Sequence, residues 1–183
     1  MTADDELLWI HQAQRGNRGA FASLVDYYWP RICRWLHGHV HQAQTAEDLT
    51  QNVFLRAWAG LASFEVRTTL RPWLYTIARH CLIDHRRAQK RPAQSLPDDL
   101  EASERGPMAS LLLQEGTTKL QLACDSLPEH LRSAFLLWTH EQMPYDEIAQ
   151  VLDITEPTAR WRVCKARHLL LDAMSPYLDQ KVS

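Results

Sequence analysis

The sequence predicts an all-α fold of two small helical domains joined by a flexible linker, and three observations carry that expectation. Apolar residues recur at helical spacing along almost the whole chain, whereas alternating Val/Ile/Thr-rich strands with hairpin turns are missing. The 183 residues suffice for one compact domain, or for two helical ones of roughly 70 to 90 residues each. Between residues 92 and 107 lie Pro92, Pro97, Asp98, Asp99, Glu101, Ser103, Gly106 and Pro107, a polar mixture that buries little and reads as a linker. The domains are accordingly placed at 1–91 and 110–183, with the linker over 92–109.

The elements follow from local signals. A first helix is expected over Asp4 to Gln14, ending at Gly16. A second runs from Gly19 to His37, with Phe21, Leu24, Val25, Tyr28, Ile32 and Leu36 near one face and Pro30 as a point of bending. Histidines and polar residues then form a short connector. Thr45-Ala46-Glu47-Asp48 supplies a cap and early acidic residues for a third helix, whose apolar side is Leu49, Val53, Phe54 and Ala57 and which ends near Phe64. Around Thr69 a long fourth helix starts, with Pro72 in its first turn; it ends in the basic run Arg86-Arg87-Ala88-Gln89-Lys90-Arg91 and stops at Pro92. Four more are expected at Ser110 to Ala123, Pro128 to His140, Tyr145 to Leu152 and Pro157 to Met174.

A net charge of -2 argues against a protein that coats nucleic acid by charge alone, since wholesale phosphate neutralisation needs a large excess of Lys and Arg. The distribution is more informative than the sum. Residues 64–92 hold seven basic and two acidic side chains, whereas 128–156 hold one basic and six acidic; 157–183 is basic again, with five against two. That order is compatible with an extended chain and equally with one folded back, acidic faces against basic ones. Cys33, Cys81, Cys124 and Cys164 are far apart and form no C-x-x-C pair, so reduced thiols in a cytoplasm are expected. The acidic start Asp4-Asp5-Glu6 is unlike a secretory signal, and no apolar run approaches the ~20 residues of a membrane span, so a cytoplasmic chain without membrane insertion is expected.

Tyr145 to Leu152, the turn Asp153-Ile154-Thr155 and a helix opening at Glu156-Pro157-Thr158 have the layout of a helix-turn-helix DNA reader. Ile148, Ala149 and Leu152, with Ile154, Ala159 and Val163, can form one core that holds the second helix outward. Its outer face then carries Thr158, Arg160, Trp161, Cys164 and Lys165, flanked by Arg162, Arg167 and His168, a set suited to phosphates and base edges in a major groove. A merely solvated helix face is the plainer alternative.

The run Ala46-Glu47-Asp48-Leu49-Thr50-Gln51-Asn52-Val53-Phe54-Leu55-Arg56-Ala57-Trp58 is followed by Pro72-Trp73-Leu74-Tyr75-Thr76-Ile77-Ala78-Arg79 and Asp84-His85-Arg86-Arg87. Together they resemble region 2 of the extracytoplasmic-function (ECF) sigma factors, members of the sigma-70 superfamily. Leu127-Pro128-Glu129-His130-Leu131-Arg132 and the helix-turn-helix after it resemble region 4 of the same family. The resemblance implies an alternative sigma factor that binds core RNA polymerase through the clamp helices of its largest subunit and the flap of its second-largest subunit. Asp48, Gln51, Asn52, Phe54 and Arg56 would dock on the clamp helices.

By the same resemblance, Arg71, Trp73, Tyr75, Arg79, His80, Arg86 and Arg87 would recognise the minus-10 element and hold its melted strand. Aromatic planes and a basic groove are what single-stranded DNA needs, at roughly 1–3 kcal/mol per stacked base. Thr158, Arg160, Trp161, Arg162, Cys164, Lys165 and Arg167 would read the minus-35 element. His80 stands where relatives often carry asparagine, and Trp161 where serine is frequent. The acidic linker, Asp98, Asp99, Glu101 and Glu104, would thread polymerase channels that later carry nucleic acid; a solvated spacer is its plainer reading. An anti-sigma factor is a further implied partner.

No nucleophile elbow, glycine-rich phosphate loop or H-E-x-x-H run is present, and the resemblance implies neither catalysis nor a cofactor. Cys33, His37, His39 and His41 offer zinc-type ligands but no paired second half, so no metal site is assigned. The competing function is an ordinary helix-turn-helix regulator with an amino-terminal interaction domain, which explains the carboxy-terminal half and leaves the first motif unexplained.

Overall fold

The structure, a computed structural model, describes residues 1–65, 69–90 and 120–178, and every regular element among them is helical. Helix α1 (Ala3–Gln14) opens on a capping box: Thr2 Oγ1 accepts the Asp5 amide at 3.2 Å while Asp5 Oδ2 accepts the Thr2 amide at 3.0 Å. Helix α2 (Arg18–Val40) is capped by the Asn17 side chain and runs through Pro30 to His41, which closes it at a left-handed φ of 61°. It starts one residue earlier and ends three residues later than expected. Trp35, Leu36, Gly38 and His39 are all buried along its last turns, so tertiary packing carries the helix through residues that look like a polar connector.

Helix α3 (Ala43–Gly60) begins two residues before Thr45, whose hydroxyl donates to Gln42 Oε1 at 3.0 Å instead of capping the helix. Leu49, Val53, Phe54 and Ala57 form its buried side. A 3₁₀ turn at Leu61–Ser63 follows, tied to α1 by Gln14 Nε2, which donates to the carbonyls of Leu61 and Phe64 at 3.1 and 2.7 Å. Helix α4 (Leu70–Lys90) then packs Leu70, Leu74, Tyr75, Ala78, Cys81 and Leu82 inward.

The carboxy-terminal half starts with helix α5 over 120–126 and continues with α6 (Glu129–Glu141), α7 (Tyr145–Leu152) and α8 (Glu156–Leu178). Leu127 and Leu131 cluster with Ala166 and Leu170 at one end, where α6 and α8 meet. Gln142 and Asp153 adopt positive φ values of 49° and 54° at the ends of α6 and α7 and give the two sharp turns. The linker, the stop at Pro92, the helix start at Ser110 and the acidic side chains Asp98, Asp99, Glu101 and Glu104 lie outside the described residues.

The two halves are packed together. One hydrophobic cluster runs from α1–α4 through Leu136, Leu137 and Met143 into the α7–α8 core. Gly38 marks the closest approach: a Cβ there would stand 2.8 Å from Leu136 Cδ1. Among the described residues the ion pairs Arg31–Glu141 at 3.2 Å, Arg71–Glu147 at 2.6 Å and Arg86–Glu129 cross the same boundary, and His41 Nδ1 stands 3.6 Å from Asp125 Oδ1.

Candidate nucleic-acid interface

Three surfaces carry the side chains that the sequence singles out. On α3, Asp48, Gln51, Asn52 and Arg56 all stand exposed along one face, where Gln44 Nε2 donates to Asp48 Oδ1 at 3.1 Å. Arg56 also braces α3 on α4 through Asp84, at 2.9 Å. Phe54 departs from the expected contact set. Its ring is buried, stacked on Trp29 at 5.8 Å and edge-on to Phe21 at 6.5 Å, because the i to i+4 apolar side of α3 turns it inward. The apolar residue presented in its place is Leu55, 62 % exposed, which sequence reasoning missed; its position between Phe54 and Arg56, off the apolar side, is the signal that could have found it.

On α4, His80 and Arg87 are exposed, whereas Arg71, Trp73, Arg79 and Arg86 are half-buried. Trp73 lies against Phe64 at 4.8 Å and over Gly60. Tyr75 is a second departure: it is wholly buried, edge-on to Trp35 at 5.7 Å, so it stacks on no external base in this arrangement. Burial first, and the Glu141 carboxylate second, push its hydroxyl far above the ordinary tyrosine range. Two of the cations of α4 are already engaged. Arg71 gives Nε and Nη2 to Glu147 Oε2 at 2.9 and 2.6 Å and Nη1 to the Glu141 carbonyl at 3.3 Å, and Arg86 pairs with Glu129.

Helices α7 and α8 form the third surface. Ile148, Ala149, Leu152, Ala159 and Val163 are buried together as the pattern requires, and Ile154 packs against them with its amide donating to the Ala149 carbonyl at 3.0 Å. Thr155 caps α8 by accepting the Thr158 amide at 3.4 Å. The outer face carries Arg160, Trp161, Cys164, Lys165 and Arg167, all exposed, with Thr158 and Arg162 half-buried beside them. Arg160 is held on two sides, by Glu156 at 2.9 Å and by the Tyr145 ring at 5.1 Å. Trp161 is 56 % exposed, unusual for so large a ring.

Two features carry no assignment from the sequence. A largely apolar groove of about 250 Å³ is lined by Leu120, Phe135, Trp138, Leu170, Leu171 and Met174, on α5, α6 and α8, with Arg167 at its edge over the Trp138 ring at 5.1 Å. His39 is buried with both ring nitrogens unpartnered, and burial first, then the charges of Arg132, Arg86 and His41, push its pKa down to about 3. No group of three His, Cys, Asp or Glu side chains among the described residues could hold a metal ion, and no helix there is long and apolar enough to cross a membrane.

Comparison with known proteins adds to this geometry. Residues 24–92 match the family model of Sigma-70 region 2, and residues 117–170 that of Sigma-70, region 4. The chain is 30 % identical to the RNA polymerase sigma-H factor of Pseudomonas aeruginosa, covering 98 % of this chain and 99 % of that one. It is 29 % identical to the ECF RNA polymerase sigma factor SigW of Bacillus subtilis, over 88 % of this chain and 92 % of that protein. The Escherichia coli K12 ECF RNA polymerase sigma-E factor is also 29 % identical, over 95 % and 96 %. Among solved structures, CnrH in complex with the cytosolic domain of CnrY has the same fold, with a TM-score of 0.72 at 21 % identity over 97 % of this chain and 99 % of that one. The sigma factor RpoE of Bartonella quintana, solved with the anti-sigma factor NepR, gives 0.66 at 21 % identity over 85 % and 96 %.

Proposed function

The chain belongs to the ECF sigma factors of the sigma-70 family, and from that membership we propose how its surfaces divide the work of an alternative sigma factor. Such a protein is a transcription initiation factor, not an enzyme: it binds core RNA polymerase, recognises the minus-35 and minus-10 promoter elements and promotes DNA melting for transcription initiation. The observation that carries the reading is the pairing, in one chain, of an aromatic and cationic α4 with an outward-facing cationic α8.

On this reading the exposed α3 face, Asp48, Gln51, Asn52, Leu55 and Arg56, binds the clamp helices of the largest polymerase subunit, with Phe54 supporting it from beneath. Arg71, Trp73, Arg79, His80, Arg86 and Arg87 take the minus-10 element and its displaced strand, by stacking and by phosphate contact. Thr158, Arg160, Trp161, Arg162, Cys164, Lys165 and Arg167 enter the major groove at the minus-35 element, Arg160 pre-set by Glu156 and Tyr145. The groove between α5, α6 and α8 fits a short apolar helix and is the proposed seat of the flap of the second-largest subunit. A domain division at 1–91, 92–109 and 110–183, work in the cytoplasm and an anti-sigma partner complete the proposal.

The test is to mix the purified chain with core RNA polymerase and genomic DNA fragments and to map the transcripts that need both proteins. Discrete starts sharing two upstream elements are expected. Absence of polymerase binding and of starts would instead favour a helix-turn-helix regulator that binds duplex DNA alone as a dimer.

A further inference from the structure

We propose that the chain stores itself in a closed, self-inhibited form, in which Glu129 and Glu147 of the carboxy-terminal half occupy the DNA-binding cations Arg86 and Arg71 of the amino-terminal half, while Glu141 locks the same boundary through Arg31. The proposal rests on the sigma-factor reading above and goes beyond it, since nothing in promoter recognition requires the two halves to bind each other. The carboxylates stand where phosphates would. Glu147 Oε2 takes two N–H groups of Arg71 at 2.6 and 2.9 Å, the kind of contact a guanidinium gives an oxyanion, and the Glu141 carbonyl takes another at 3.3 Å. Glu129 forms a single ion pair with Arg86.

The contacts of Glu141 and Glu147 lie well inside the boundary. The Glu141 side chain has no exposed area and pairs with Arg31 at 3.2 Å. An unpaired carboxylate buried to that extent is strongly disfavoured, so Glu141 is specified by the presence of the other half. Gly38 gives the same message in apolar terms: its missing Cβ leaves room for Leu136, a residue of α6, whose side chain supplies the nearest atoms to that space.

The closed form and the promoter-bound form exclude each other geometrically. Two elements named for positions -35 and -10 lie about 25 base pairs apart, about 85 Å along B-form DNA at 3.4 Å per base pair. Here Arg79 of α4 and Arg162 of α8 line one cavity of about 300 Å³ together with Glu129 and His130. One arrangement cannot serve both elements, so promoter engagement requires the halves to separate, and the free chain binds DNA with an affinity scaled by its open fraction.

Two full-length variants test this without touching the proposed DNA contacts: the double variant Glu141→Gln/Glu147→Gln, and Gly38→Leu, which blocks the approach of Leu136 while favouring the α2 helix. X-ray scattering measures the radius of gyration, circular dichroism the helix content, and anisotropy the binding of a fluorescein-labelled single-stranded 20-mer of mixed sequence. The expected result is a larger radius of gyration and binding about fivefold tighter or more in both variants, at unchanged helix content. Variants as compact as wild type, or expanded without tighter binding, would overturn the proposal. Should the charge variant lose helix content, Gly38→Leu decides alone. Wild-type binding to core polymerase, measured alongside, reports on the sigma-factor reading separately.

Discussion

A buried imidazole with two unpartnered nitrogens makes His39 the residue whose titration the fold feels most. Its ring meets Trp35 at 4.6 Å and faces Arg86 of α4, Arg132 of α6 and His41, so any added proton lands among cations. The packed state holds its pKa near 3, against 6.5 for a solvated ring, so below pH 6.5 the opened or unfolded chain takes up a proton that the packed state refuses. Stability is therefore full above pH 6.5 and lost progressively as pH falls towards 3. Urea denaturation should show a loss of about 1 kcal/mol between pH 7.5 and 5.5. Half-buried His140, depressed by burial and then by Arg34, adds to the loss with the same sign. In His39→Phe the loss should shrink; an undiminished loss would place the titration on another group. At the opposite extreme of exposure, Arg160→Ala should cost ~1–3 kcal/mol of minus-35 binding and relax preference at one base pair. Unchanged preference across promoter variants would remove Arg160 from the reading set.

At the scale of elements, α3 separates a structural side from a docking side within one turn. Phe54→Ala should cost about 3–5 kcal/mol of stability, because it empties a site between Trp29 and Phe21. Asp48→Arg and Leu55→Asp should leave stability within about 0.5 kcal/mol. Each should still weaken core-polymerase binding by roughly tenfold, or 1.4 kcal/mol. Equal loss of polymerase binding and of thermal stability in Leu55→Asp would mean that the face is structural. Helix α7, the turn and the start of α8 are legible in the sequence, since their core is local: Ile148, Ala149, Leu152, Ala159 and Val163 lie within sixteen residues and bury one another, whereas α8 runs four residues past the expected Met174. The end of α2 was not legible. Gly38 and His39 are helical and buried because α6 and its neighbours cover them, and no periodicity within α2 announces a partner nearly a hundred residues away. Tyr75 was misplaced for the same reason, its surroundings being Trp35 and a glutamate from the other half.

For the molecule as a whole, charge order was readable but pairing was not: the basic 64–92 and acidic 128–156 stretches stand out, while the choice between an open and a closed chain depends on apolar contacts such as Leu136 on Gly38. Closure has a kinetic signature. If polymerase captures the open form, its association rate with the free chain scales with the open fraction, whereas dissociation starts from a bound state in which the halves no longer touch. Gly38→Leu should then raise the association rate with core polymerase about fivefold and leave the dissociation rate as in wild type. Salt acts on the same equilibrium, since the crossing pairs at Arg31, Arg71 and Arg86 are only partly shielded from solvent and ions weaken them. Raising ionic strength should therefore narrow the rate advantage of Gly38→Leu by opening the wild type, even as it slows both proteins by screening their attraction to polymerase. Stopped-flow fluorescence with labelled polymerase measures both constants. A change confined to dissociation would place the substitution in the bound complex and remove closure as the cause.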